Sequence, residues 1–397
     1  MTTQELIAAS NKYLANTYAR FPMVLVRGRG VRLWDSDGKE YLDCVGGIAV
    51  DALGHCHPKM VEAIRTQAET LIHVSNLYHI EPQIRLGQLL CEQSFADRAF
   101  FCNSGAEANE AAIKLARKYA KDHWSSDRVD IIAMHHAFHG RTLATVTATG
   151  NPKYQHGFEP LMPGFKHVPY DNLRAVERAI DSRTCAVLVE PLQGEGGVNV
   201  PSADYLPGLR CLCDEAGILL ILDEVQSGMG RTGKLFAYQH WGVEPDILTL
   251  AKALAGGIPM GAMLAREAVA ASFVPGTHAS TFGGTPFVSA VAVAVVTTML
   301  ADDLPGNAAR VGKYFLDRLM GLQAGYPVIK AVRGKGLILG VEVSIPARGI
   351  VAACMERGLL VLTAGDNVVR FVPPLILSEG DVDQAVTVFE AALKACA

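Results

Sequence analysis

The chain has 397 residues, half of them hydrophobic and 19% charged, enough for one large buried core with a smaller companion. A net charge of -4 excludes the basic footprint of a nucleic-acid binder. The most apolar run, Ser289 to Leu300, is too short to span a bilayer, and Met1-Thr2-Thr3-Gln4-Glu5 lacks a signal peptide's basic start, so no membrane partner and a cytoplasmic location are expected.

In chain order, residues 1–50 read as a helix and short strands with a hairpin turn at Trp34-Asp35-Ser36-Asp37-Gly38-Lys39, and are assigned to a small domain. His55-Cys56-His57 has no second cluster of matching spacing, so it reads as a structural loop and no metal is expected. The nine scattered cysteines read as reduced, buried thiols. Residues 51–288 form the expected large domain. Short apolar runs recur there at 99–103, 129–134, 186–190, 219–223 and 247–250, separated by stretches of helical spacing. One of these, Gly105 to Lys121, sets Ala108, Ala112, Leu115 and Tyr119 on one face. Continuous apolar runs imply strands covered on both sides, hence an α/β fold with a mainly parallel sheet. Residues 289–397 switch to a helix, a strand at 336–343, another helix and a hairpin around Gly365-Asp366-Asn367, which reads as a second, C-terminal part of the small domain.

Ligands gather at the carboxyl ends of such strands. Asp223 ends the run 218–222, and Lys252 follows the run 246–251. A lysine amine and a carboxylate delivered in this way suit pyridoxal phosphate: the amine forms a Schiff base with the aldehyde, and the acid keeps the pyridine nitrogen protonated. Ser104-Gly105-Ala106-Glu107 opens the long helix after Asn103. It is a capping box by spacing, and the same free amides beside two small residues make a phosphate seat.

Gly228-Met229-Gly230-Arg231-Thr232-Gly233-Lys234 has the spacing of a dinucleotide fingerprint and nearly that of a triphosphate loop. Its first glycine does not directly follow the strand, and Leu235 stands where the triphosphate loop needs a hydroxyl for magnesium. A nicotinamide-linked dehydrogenase or an ATPase is therefore the weaker reading.

Eight ordered stretches carry a resemblance that runs end to end: Leu53 to Pro58, Phe101 to Glu110, Phe138 to Thr142, Glu190 to Gly197, Leu222 to Gln226, Ala251 to Leu254, Ser280 to Gly284 and Val369 to Phe371. In these the chain closely resembles the class III, or ornithine-type, aminotransferases. The resemblance implies a fold-type I transferase with a mainly parallel seven-stranded sheet and a smaller α+β domain. It implies a homodimer with active sites at the subunit interface, and an amino donor and 2-oxoglutarate as substrates. It assigns the Schiff base to Lys252 and the pyridine nitrogen to Asp223. Ser104, Gly105 and Ala106 would hold the phosphate with Thr281 of a neighbouring subunit, Phe138 would stack on the ring, Val225 would lie beside it, and Gln226 would contact its phenolic oxygen. Arg141 would take the substrate carboxylate, with Ser280 also on the substrate side. Arg370 would take a second carboxylate, and Glu195 would neutralise Arg370 when only one is present. Each side chain alone has a plainer reading: solvated arginine, exposed turn, core aromatic. Two positions depart from the family pattern. Thr285-Pro286 stands where Asn-Pro is usual, and Ile48 stands where the ornithine-specific branch carries a tyrosine pattern, which favours an acylated ornithine.

Overall fold

The computed structural model describes residues 1–396. Its centre is a seven-stranded sheet of β4 (Arg98–Cys102), β5 (Asp130–Met134), β6 (Phe165–Val168), β7 (Thr184–Val189), β8 (Leu219–Asp223), β9 (Ile247–Leu250) and β10 (Gly261–Ala265). The spatial order is β4-β10-β9-β8-β7-β5-β6. Only β10 runs against its neighbours, pairing antiparallel with β4 and β9. β5, β7, β8, β9 and β10 are buried at every position, which explains their unbroken apolar sequences. Because β4 is parallel in direction to β8 and β9, Asn103, Asp223 and Lys252 emerge along one edge.

Two smaller sheets flank it. β1 (Leu25–Arg29), β2 (Arg32–Asp35) and β3 (Glu40–Asp43) are joined by β13 (Leu359–Leu360), which pairs parallel with β3 and so ties the two ends of the chain together. The β2–β3 turn closes because Asp35 Oδ1 accepts from the amides of Asp37 (3.0 Å) and Lys39 (2.9 Å). The third sheet has the order β11-β12-β15-β14, from β11 (Ile329–Lys335), β12 (Ile338–Val343), β14 (Leu362–Thr363) and β15 (Val368–Phe371). Opposite Arg370 on β15 stands Gly340 on β12. The hairpin around Gly365 joins β14 to β15, as expected.

Several elements differ from the sequence reading. β6, β10, β11 and the closing helix Glu379–Cys396 were not anticipated, and the strand expected from 336 begins at Ile338. The boundary expected between 288 and 289 falls inside the helix Pro286–Ala301. That helix packs on the helices Pro58–Thr70 and Glu81–Glu92 and on the turn that carries Lys252. Its apolar sequence reflects burial among these partners, and among the described residues no single helix is long and apolar enough to cross a membrane. Thr285 caps it, its Oγ1 accepting from Val288 N at 3.3 Å, so the threonine supplies the oxygen an asparagine would offer there.

The glycine-rich segment 228–234 is a joint between sheets. Arg231, fully buried, donates through Nη1 to the carbonyls of Leu337 (2.9 Å) and Pro373 (2.5 Å) at the ends of β12 and β15. Gly336 packs so closely on this segment that an added Cβ would lie 2.4 Å from the Thr232 carbonyl carbon. The glycines serve close packing, and no helix begins there to seat a phosphate.

Candidate active site

Lys252 stands where β9 ends and a short 3-10 turn begins, with φ +46°, an uncommon left-handed value for a residue with a Cβ. Such conformations cost about 1–3 kcal/mol and cluster at functional positions. Its side chain lines a cavity of about 410 Å³ together with Asp223, Gly105, Phe138, Arg141 and Val225. Desolvation in this cavity lowers the pKa of the amine, against the pull of Glu195 and Asp223 and with the push of Arg370. The base form of Lys252 is therefore more accessible than that of a surface lysine.

Asp223 is held on three sides. Its Oδ2 accepts from Asn109 Nδ2 (2.7 Å) and lies 2.7 Å from His139 Nδ1, while Oδ1 accepts from Val225 N (3.0 Å). Asn109 is itself fixed. Nδ2 also donates to the His139 carbonyl (2.8 Å), and Oδ1 accepts from Thr249 Oγ1 on β9 (2.7 Å). A carboxylate that is 3% exposed is thus oriented toward the cavity with its charge supported by fixed donors. Asn109 and His139 were missed as site residues. Asn109 had a signal, a polar residue next to Ala108 on the apolar face of its helix; His139 had only its place in the stretch Phe138 to Thr142.

The helix Gly105–His123 starts at the cavity. Ser104 caps it, Oγ accepting from Glu107 N at 3.2 Å, and Glu107 reaches back to Asn103 N at 2.8 Å. This is a shifted form of the expected box, bracing the residue before the cap. Gly105 is required by crowding: a Cβ there would lie 2.7 Å from Val225 Cγ1. Gly140, at φ +139°, lies against Ala106, 2.7 Å from its Cβ if it had one of its own. Small residues therefore expose the helix amides to an anion. Phe138 is set by a bond from its N to buried Glu190 Oε1 (2.9 Å), and burial raises the pKa of that carboxyl. Beside it, exposed Arg141 lies over the Tyr154 ring at 4.0 Å.

Arg370, Glu195 and Gln226 meet in a second cluster, outside the lining of the Lys252 cavity. Arg370 is 1% exposed, and its Nη1 donates to Glu195 Oε1 at 2.7 Å and to Gln226 Oε1 at 3.0 Å. Burial raises the Glu195 pKa, but Arg370, Lys252 and Gln226 outweigh it, and the carboxyl ends below its ordinary value. Ser280 and Thr281 do not line the Lys252 cavity. Both border a separate cleft of about 970 Å³, where Ser280 Oγ accepts from Asn103 Nδ2 at 3.3 Å and Thr281 is exposed. Val50, at the end of the turn Val45–Val50, also lines the cavity. Asp43 Oδ1 accepts from Val45 N (2.8 Å) and Gly46 N (2.9 Å), its Oδ2 meets His55 Nε2 (2.7 Å), and Asp51 lies 3.9 Å from the same ring. Ile48 and Ala49 within it both have positive φ.

The sequence matches the family described as aminotransferase class-III over residues 13–393. The chain is a class-III aminotransferase. It is 51% identical to the acetylornithine aminotransferase of Caldanaerobacter subterraneus subsp. tengcongensis, over 98% of this chain and 99% of that one. It is 50% identical to the acetylornithine aminotransferase of Methanocaldococcus jannaschii, covering 98% of each. Among solved structures, ornithine aminotransferase from Toxoplasma gondii ME49 superposes with a TM-score of 0.97 at 37% identity, over 100% of this chain and 96% of that one. Acetylornithine aminotransferase from Elizabethkingia anophelis superposes at 0.90 with 33% identity and full coverage of both. The cofactor of this aminotransferase is pyridoxal 5'-phosphate, and the cavity fits it: an enclosed amine, a buried carboxylate, and a helix start cleared of side chains.

Proposed function

We propose that this aminotransferase moves the side-chain amine of N-acetylornithine to 2-oxoglutarate, giving N-acetylglutamate 5-semialdehyde and glutamate, a reaction of arginine biosynthesis. The observation that carries this reading is the pairing of two arginines of opposite character. Arg141 is open to the cavity mouth, whereas Arg370 is buried and already neutralised by Glu195. A donor with one carboxylate leaves that pair closed, and a dicarboxylate opens it. The names of the relatives at 50–51% identity and Ile48 favour an acylated donor.

Lys252 would hold the cofactor covalently, Asp223 its pyridine nitrogen, Gly105 and Ala106 its phosphate, with Phe138 and Val225 flanking its ring. When bound, it supplies an electron sink for cleavage at the amine-bearing carbon. The protein's own contributions are positional and acid–base. Asp223, locked by Asn109, His139 and the Val225 amide, keeps a fixed negative charge where a protonated nitrogen needs it. Lys252, with its lowered pKa, takes up and returns the proton at the reacting carbon. Arg141 anchors the carboxylate common to both substrates, and Arg370 reads the second one in a bidentate geometry that lysine lacks.

The dimer belongs to the same proposal. Leu77, Tyr78 and Phe282 are exposed by 84%, 68% and 62%, and all three lie on or next to the loops that border the cleft holding Ser280 and Thr281. Apolar side chains grouped in this way suit an interface, and a second copy docked there would carry Thr281 to its neighbour's phosphate seat.

Initial rates with N-acetylornithine, succinylornithine, succinyldiaminopimelate, ornithine and 4-aminobutyrate, each against 2-oxoglutarate, test the assignment. N-acetylornithine is expected to give the highest kcat/KM; equal or faster turnover of free ornithine overturns it.

A further inference from the structure

The amide of Gln226 bridges the Arg370–Glu195 pair. Its Nε2 donates to Glu195 Oε1 at 3.1 Å, and its Oε1 accepts from the same Arg370 Nη1 that donates to Glu195. The three side chains form a closed ring of hydrogen bonds. Room for the amide comes from Gly194, where an added Cβ would lie 2.1 Å from Gln226 Oε1. Gln226 itself is 6% exposed, on the loop leaving β8 three residues after Asp223.

Two consequences follow for carboxylate binding. Arg370 divides one nitrogen between two acceptors, while its Nε has no hydrogen-bond partner among the described residues. An incoming carboxylate therefore competes with Gln226 as well as with Glu195. Conversely, Glu195 cannot withdraw from Arg370 without disturbing the donor that Gln226 points at it, and a buried amide left unpaired is costly.

We infer that Gln226 is the third member of the substrate switch, bracing Glu195 on Arg370 while the one-carboxylate donor is bound and turning with Glu195 when a dicarboxylate arrives. The inference rests on the two-arginine reading above. It gives Gln226 a role in substrate selection, beyond the contact with a phenolic oxygen that its place in the sequence suggests.

Two variants act on the ring in opposite senses. Gln226→Met removes both the brace on Glu195 and the competing acceptor on Arg370. Gln226→Glu places a second carboxylate against Arg370. Calorimetric titration of the holoenzyme with glutarate and with valerate, a dicarboxylate and monocarboxylate of equal length, separates the Arg370 contribution from that of Arg141. Gln226→Met is expected to tighten glutarate binding about fivefold and Gln226→Glu to weaken it about tenfold or more, from the usual strength of hydrogen bonds to charged groups. Valerate affinity should move by less than about twofold in either variant, on the same scale. Glutarate shifts of the same sign, shifts shared equally by valerate, or no shift overturn the inference. Wild-type enzyme binding glutarate no better than valerate instead overturns the two-arginine reading itself.

Discussion

Asn109→Ala tests whether Asp223 owes its orientation to its neighbours. The side chain is 1% exposed and makes three hydrogen bonds, to Asp223 Oδ2 at 2.7 Å, the His139 carbonyl at 2.8 Å and Thr249 Oγ1 at 2.7 Å. A neutral bond contributes about 1 kcal/mol and one to a carboxylate about 1.5–3 kcal/mol. Asp223 keeps its contacts with His139 and Val225 N, so the full sum is not lost. A destabilisation of roughly 2–4 kcal/mol is expected. A looser carboxylate should slow the single-turnover reaction with N-acetylornithine about tenfold, equivalent to about 1.4 kcal/mol of barrier. Urea unfolding followed by fluorescence measures the first quantity, and rapid-mixing absorbance the second. Asn109→Asp should be worse on both counts, because it sets a second carboxylate against Asp223. Wild-type turnover in Asn109→Ala with a stability loss below about 1 kcal/mol would refute the bracing argument.

Other perturbations separate the remaining parts. Gly105→Ala should weaken cofactor retention, since its Cβ meets Val225 Cγ1 at 2.7 Å and a β-branched neighbour yields little; equilibrium dialysis showing wild-type retention would contradict the seat. Arg370→Met should raise KM for 2-oxoglutarate at least tenfold, about 1.4 kcal/mol, and change the donor half-reaction far less, whereas Arg141→Ala should impair both; equal losses from the two variants would argue against separate carboxylate sites. The Glu195 pKa is lowered from 4.5 in the folded protein, so its contribution to stability is present above pH 4.5 and is lost as pH falls through the lower folded value. Glu195→Gln should therefore flatten the stability profile below pH 4.5, and an unchanged acid limb in a thermal-melting series would contradict the ion pair.

Much of the fold was legible because its strands are short and apolar with clear ends. β7, β8 and β9 are buried along their whole length, and burial on both faces leaves a continuous pattern. β6 was not legible, because its residues Phe165, Lys166 and His167 are only partly covered and the polar ones break the run. β10 is Gly-Ala-Met-Leu-Ala, with little β-branched character, and its reversed direction depends on pairing partners rather than on local sequence. The boundary expected at 288/289 lies inside the helix Pro286–Ala301 for a related reason. An apolar helix looks alike wherever its cover comes from, and the helix Pro286–Ala301 is covered mainly by helices from much earlier in the chain.

Within the site, Lys252 and Asp223 were legible because strand ends deliver them to one edge. The bracing of Asp223 was not, since Asn109, His139 and Thr249 come from three separate segments. Gln226 shows the same limit. Its motif placed it near the cofactor, but its commitment to Glu195 and Arg370 depends on β15 packing back against the loops after β7 and β8. Thr281 points to a further limit: the proposed role places it at a neighbouring subunit's phosphate seat, and such a role leaves no contact within one chain to reveal it.

The most direct test is borohydride treatment of the purified yellow enzyme, followed by peptide mapping. The expected result is one pyridoxyl adduct, on Lys252, and its complete loss in Lys252→Ala even though that variant still folds. An adduct on another lysine, or none in a protein that transaminates N-acetylornithine, would contradict the assignment of Lys252 as the residue that carries the cofactor.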